Sequence, residues 1–333
     1  MFLVADLIMV IKHELTDDNY YSKEMGLKYL SVHALMTYMK DPVIFWLKAH
    51  DYLKDSSSPS ANAGRLFHAF MNDEKDFLKE LKALGTIPFT IKKQHLDEAG
   101  IDKKLKDITT EDVIEMVYDD PHLLEPKADY ESVWQYIANH WRKRHEQWTT
   151  PPNSYKELIL TGNIGGAKFK GRLDMLTIDG EDAYIYDYKT LSLKDNYGFW
   201  YEDGERFSKN FIHEYNYDLQ MMAYSQLVKQ NFPQVKNVFI QFGCLIKSNK
   251  VEFSKYPSGY VETECVNILN LANNNRFNGR SPLMVLLDNS KNAYDTLQLN
   301  SDEMVKRYGS ESVFLELFLN KGTQLPFDAF RKV

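Results

Sequence analysis

Apolar and polar positions follow a helical period through the first half of the chain and switch to a period of two near residue 155. Residues 1–55 read as helical. Ser31 caps the segment Val32-His33-Ala34-Leu35-Met36, and Asp41-Pro42 interrupts a pattern that resumes over 43–53. The cluster Ser56-Ser57-Ser58-Pro59-Ser60 reads as loop. Residues 64–84 predict one helix, ended by Gly85 and Pro88. A further helix over 131–148 carries Trp134, Trp141, Trp148 and the basic run Arg142-Lys143-Arg144. Thr149-Thr150-Pro151-Pro152-Asn153 is the clearest linker.

Beyond the linker, residues 155–160, 167–178 and 183–191 read as three strands. They are joined by Gly162-Asn163-Ile164-Gly165-Gly166 and Asp179-Gly180-Glu181-Asp182. A helix over 211–230, a strand over 235–247, a strand near Val251 and a helix over 261–272 follow. Past Gly279 the pattern is mixed helix and loop. Three regions result, packed as one compact unit: a helical 1–150, a sheet-bearing core at 151–280 and an extension at 281–333.

Composition narrows the class. With 44% hydrophobic and 26% charged residues the chain is an ordinary globular protein, neither disordered nor fibrous. The apolar stretch at 4–11 is interrupted by Asp6 and is too short for a membrane span. It also lacks a basic leader and a cleavage site, so a soluble, cytoplasmic protein is expected. Two cysteines suit a reducing compartment and exclude a disulfide framework. The net charge of −7 argues at first against a polyanionic partner. Yet residues 97–131 hold twelve acidic and four basic side chains, a local −8, so the remainder sums to +1.

The candidate chemistry lies on the second and third strands. Alternation places Lys168, Lys170, Arg172 and Asp174 on one face of the second strand, and Asp187 with Lys189 on one face of the third. With Gly180 and Glu181 at the turn, Asp174 falls opposite Asp187, their Cβ atoms roughly 4.5–5.5 Å apart. Two such carboxylates repel unless a proton or cation stands between them. Hard oxygen ligands favour Mg²⁺ or Mn²⁺, and a neighbouring lysine can orient or deprotonate water, a composition suited to phosphodiester hydrolysis. Taken alone, the pattern reads more readily as a cross-strand salt bridge on a solvated sheet face. Three additions weigh against that: His68 one turn after Gly64 on a helix, Gln220 and Tyr224 at i and i+4 on another, and the order of these elements.

Taken together, these residues resemble the PD-(D/E)XK nuclease superfamily, in the branch of RecE-type exonucleases (exodeoxyribonuclease VIII-like) and RecB-like nucleases. The resemblance rests on Gly64-Arg65-Leu66-Phe67-His68, Gly171-Arg172-Leu173-Asp174, Tyr186-Asp187-Tyr188-Lys189-Thr190 and Gln220-x-x-x-Tyr224, with 31–45 similar to the N-terminal segment of phage proteins of that type.

It implies an α/β (α+β) fold with a restriction-endonuclease-like core: a central mixed β-sheet flanked by helices, after a helical N-terminal region. It implies Asp174, Asp187, the Tyr188 main-chain carbonyl and His68 as metal ligands, and Lys189 as the activator of water. Gln220 and Tyr224 would support the site or contact DNA, with Lys168, Lys170 and Arg172 as further DNA contacts and Glu157 as a lesser acidic candidate. The implied activity is a Mg²⁺-dependent (or Mn²⁺-dependent) exonuclease acting 5′ to 3′ on double-stranded DNA ends for phage-type recombination. The implied partners are a single-strand annealing protein and further copies in a ring-like homo-oligomer, with no membrane. An endonuclease of restriction or repair, or a catalytically silent DNA-binding scaffold, are the competing readings. Cys244 and Cys265 are too few for a Cys₄ iron–sulfur cluster.

Overall fold

In a computed structural model of the chain, residues 14–54, 58–144, 150–192, 211–247 and most of 259–309 are described. Short strands at Phe199–Glu202, Glu205–Ser208 and Leu325–Pro326 are described as well. The apolar stretch at 4–11, Trp148 and the strand expected near Val251 lie outside the described residues.

Helices α1 (Val32–Lys40) and α2 (Pro42–Ala49) meet at Asp41, whose carboxylate accepts from Val43 N and Ile44 N at 2.8 and 3.0 Å. Pro42 takes the first helical position, where its missing N–H costs nothing. Ser31 caps α1 as its sequence predicts, accepting from Ala34 N at 3.2 Å. The single helix expected over 64–84 is two: α3 (Pro59–Asn72) and α4 (Glu74–Leu84). Asp73 is extended there, and its side chain accepts from Asp76 N at 2.8 Å. A short polar side chain can cap a new helix in the middle of an unbroken apolar period, and periodicity does not register it. Helices α5 (Thr110–Asp119) and α6 (Glu131–His140) complete the N-terminal half.

Strands β1 (Ser154–Ile164), β2 (Ala167–Asp179) and β3 (Asp182–Ser192) form the antiparallel meander. Helix α7 (Tyr217–Asn231) then crosses to β4 (Asn237–Lys247), which runs parallel to β3, and β5 (Gly259–Glu262) closes the order β5-β4-β3-β2-β1. The helix expected over 211–230 breaks at Asn216, in left-handed backbone with φ 55°. Where a helix was expected over 261–272, the chain instead finishes β5, adds Val266–Asn267 along β4 and turns helical only at Ile268–Ala272. Helices α8 (Pro282–Leu297) and α9 (Ser301–Tyr308) follow. Among the described residues no helix is long and apolar enough to cross a membrane.

The sheet forks. Strand β2 pairs with β3 only from Asp179 back to Met175. Further along, Leu30 takes over that edge of β2, donating to Lys168 O at 2.8 Å and accepting from Lys170 N at 2.9 Å. Strand β3 meanwhile follows β4 along its whole length. A matched kink marks the place where the strands part. Glu157 lies opposite Asp174 between the pairs Lys156↔Met175 and Leu158↔Leu173, with φ at 49°. The inward side of β2 accordingly changes phase, from Phe169 and Leu173 to Leu176 and Ile178, all in one core cluster.

That cluster packs α1, α2, α7 and α8 on one side of the sheet, around Trp46, Leu173, Ile185, Leu227 and Phe242. A second packs α3 and α6 on the other side, around Phe67, Phe70, Trp134, Tyr188 and Leu245.

Candidate active site

Four side chains converge on the fork. Asp187 and Lys189 alternate along β3, and Asp187 is buried, 2% exposed. Lys189 Nζ contacts Asp187 Oδ2 and lies 4.6 Å from the centroid of the Tyr217 ring. Asp174 reaches across the gap, accepting from Tyr188 N at 2.7 Å. From the opposite layer, α3 delivers His68. Gly64 lets that helix close on β3, because a Cβ there would stand 3.1 Å from Thr190 Oγ1. His68 Nε2 donates to the Tyr188 carbonyl at 2.6 Å, and its Nδ1 stands 3.5 Å from Asp174 Oδ2. The carbonyl fixes the ring proton on Nε2, so the Nδ1 lone pair faces a carboxylate oxygen unless a proton or cation stands between them.

The electrostatics are those of a site short of positive charge. Burial raises the Asp187 carboxyl above its ordinary range, opposed by the Lys189 ammonium and reinforced by Asp174. Burial works against the charge on Lys189, yet Asp187 and Asp174 outweigh it and hold the ammonium above its usual value. Lys189 is therefore a fixed cation. Of the two roles its sequence context leaves open, orienting a ligand fits better than removing a proton. Glu157, largely buried, is pushed up to about 7 by burial and by Asp174, against the pull of Arg172, whose Nε is 2.9 Å away.

The donors present fit a hard divalent cation. Asp174, Asp187 and the Tyr188 carbonyl supply oxygens, and His68 a nitrogen. Buried Asp187 Oδ2 pairs with the Lys189 ammonium without a hydrogen bond of good geometry, so the carboxylate keeps acceptor capacity that a cation could take up. Among the described residues no three His, Cys, Asp or Glu side chains form a ready-made cluster. In the observed arrangement His68 and the Tyr188 carbonyl bond each other.

Three residues expected to contact DNA are turned inward. Tyr224 donates to Arg172 O at 3.0 Å, and Gln220 Nε2 donates to Tyr224 Oη at 3.0 Å, both side chains buried. Gly171 makes room for this brace, since a Cβ there would stand 2.9 Å from the Tyr224 ring. Lys170 is also buried. Its ammonium donates to the Tyr20 carbonyl and sits 4.7 Å from the Tyr20 ring centroid. Alternation marks the face these groups leave the backbone from, but it does not reveal that residues 15–30 cover that face. Lys168 is exposed and Arg172 partly so. Tyr217, Tyr20 and Tyr21 carry no signal of these contacts in the sequence, since contacts made from other elements have no local periodicity.

The family described as a PDDEXK-like domain of unknown function (DUF3799) matches residues 46–242, more than half of the chain. That span includes His68, Asp174, Asp187, Lys189, Gln220 and Tyr224. Among solved structures, that of a candidate exonuclease from Eubacterium rectale is similar, with a TM-score of 0.48 and 17% identity over 90% of this chain and 88% of that one. No curated protein matches the chain. The chain belongs to the PDDEXK-like domain family, and its mixed sheet between helical layers is a PD-(D/E)XK nuclease fold.

Proposed function

We propose that the chain is a metal-dependent DNA exonuclease of the RecE type, hydrolysing phosphodiester bonds at duplex ends, 5′ to 3′, to expose single strands for phage-type recombination. The observation that supports this best is the meeting of Asp174, Asp187, Lys189 and His68 at the fork between β2 and β3. A Mg²⁺ or Mn²⁺ ion bound by Asp174, Asp187, His68 and the Tyr188 carbonyl would supply Lewis acidity at the scissile phosphate. The remaining work falls to the chain itself. Lys189 places one fixed positive charge beside a phosphate oxygen or the attacking water. The Asp174 hydrogen bond to Tyr188 N holds the two strands in register at the reacting centre, and the Gln220–Tyr224 brace fixes β2 just ahead of it. Lys168, exposed, and Arg172, partly so, would offer charge to the approaching backbone. The three-region organisation, a single-strand annealing partner and a ring-like assembly belong to the same proposal.

Linear duplex labelled at the 5′ or the 3′ end, incubated with Mg²⁺ or with chelator, tests it. Metal-dependent release of the 5′ label as mononucleotide is expected, with closed circular duplex left intact. Rapid cutting of the circle would replace the exonuclease with an endonuclease. No cleavage of any DNA in Mg²⁺ or Mn²⁺ would leave the DNA-binding scaffold as the better account.

A further inference from the structure

Tyr21 is the most exposed large hydrophobic side chain among the described residues, at 75%. An exposed tyrosine is ordinary in itself. This one is held in place. Its ring stands 4.9 Å from that of Tyr20 at 83°, and Tyr20 is buried, with Lys170 bonded to its carbonyl. The Arg172 guanidinium lies 5.2 Å from the Tyr21 ring centroid and 5.7 Å from that of Tyr20. Arg172 is two residues from Asp174 on β2, and Tyr224 braces its carbonyl. Its ion pair with Glu157 engages Nε. An anchored aromatic face backed by a partly exposed guanidinium thus stands beside the stretch of β2 that carries Asp174.

From this juxtaposition we infer that Tyr21 and Arg172 form a subsite for an unpaired nucleobase and its phosphate, so that the strand to be cut enters with its terminal base out of the duplex. The inference rests on the nuclease reading and names the form of substrate that site takes. A base has an aromatic face whatever its identity, so stacking on Tyr21 is tolerant of sequence, while Arg172 offers charge to the adjoining phosphate. A base still paired within a duplex cannot stack on the ring. Single-stranded overhangs and frayed ends are therefore preferred over blunt, fully paired ones.

The test uses the full chain in chelator, where cleavage plays no part. Duplexes with a short 5′ overhang carry either 2-aminopurine or an abasic site at the terminal positions. Affinity is read by anisotropy and stacking by 2-aminopurine fluorescence. The wild-type chain is expected to bind the base-bearing overhang at least about tenfold more tightly than the abasic one and to quench its fluorescence. Tyr21→Ala should abolish both differences while leaving abasic binding unchanged, and Tyr21→Phe should restore them. Equal binding of the two overhangs by the wild-type chain, or an undiminished preference in Tyr21→Ala, would overturn the inference. A separate arm with Mg²⁺ reads cleavage: loss of cleavage there with the stacking preference intact would count against the nuclease reading alone, not against this subsite.

Discussion

The Asp174 carboxylate accepts the Tyr188 main-chain N–H at 2.7 Å, taking the place of a strand-to-strand hydrogen bond where β2 and β3 part. One side chain thus does structural work and presents a charge to the candidate active site. The two functions separate by substitution. Asp174→Asn keeps an acceptor for Tyr188 N, so the fold should hold while Mg²⁺-supported cleavage drops at least about a hundredfold. Asp174→Ala leaves the N–H without its partner and should also lose about 1–3 kcal/mol of stability. Denaturant titration beside end-label release checks the pair. Full activity of Asp174→Asn in Mg²⁺ would remove Asp174 from the site.

Removing Lys189 exposes a different dependence. Lys189→Ala strips the buried Asp187 carboxylate of the ammonium paired with it, a change that costs about 3–5 kcal/mol in comparable buried pairs. Turnover should be lost with DNA binding retained. If the donors at the fork hold a divalent ion, Mg²⁺ should raise the melting temperature of Lys189→Ala by more than it raises that of the wild-type chain. Equal shifts in the two proteins would argue against that assignment of the ligands.

Buried Lys170 gives the chain a pH signature away from the reacting centre. Burial pushes its ammonium down to about 8, below the value of about 10.4 for a free lysine. Between those values the unfolded chain holds a proton that the folded chain has released, so this group makes the fold more stable as pH rises through the window. Below pH 8 the advantage is absent. Lys170→Met should flatten the dependence of unfolding free energy on pH between 8 and 10 relative to wild type. An unchanged slope would show that the ammonium titrates normally.

Much of this site is legible in the sequence because its strands are joined by short turns. Asp179↔Asp182 around Gly180 fixes the pairing up to Met175↔Tyr186, which is the register read from the residues alone. Gly64 and His68 are legible for a similar reason, since a glycine one turn from a histidine allows one close approach on one helix face. What escapes is non-local. The phase change at Glu157 and Asp174 depends on two strands kinking together, and neither strand signals it alone. The covering of Lys170 by Tyr20 joins positions 150 residues apart. The same holds for Asp73, where a helix-capping side chain divides an apolar period that continues without a break.

The Gln220–Tyr224 brace offers the last test, because its hydrogen bond reaches the backbone of β2 two residues before Asp174. Tyr224→Phe keeps the ring against Gly171 and deletes both the hydrogen bond to Arg172 O and the one received from Gln220 Nε2. The stability loss should be about 1–3 kcal/mol, because two hydrogen bonds go and the buried Gln220 amide is left without its acceptor. Its effect on cleavage should appear in kcat with KM nearly unchanged, because a shift of β2 misplaces Asp174 without touching the bound backbone. Gly171→Ala approaches the same strand from the other side. Its Cβ would press on Tyr224 and Leu227 at 2.9 Å, and overpacking of that kind costs about 1–3 kcal/mol. A Tyr224→Phe variant with raised KM and normal kcat would instead make Tyr224 a substrate contact, which its burial opposes.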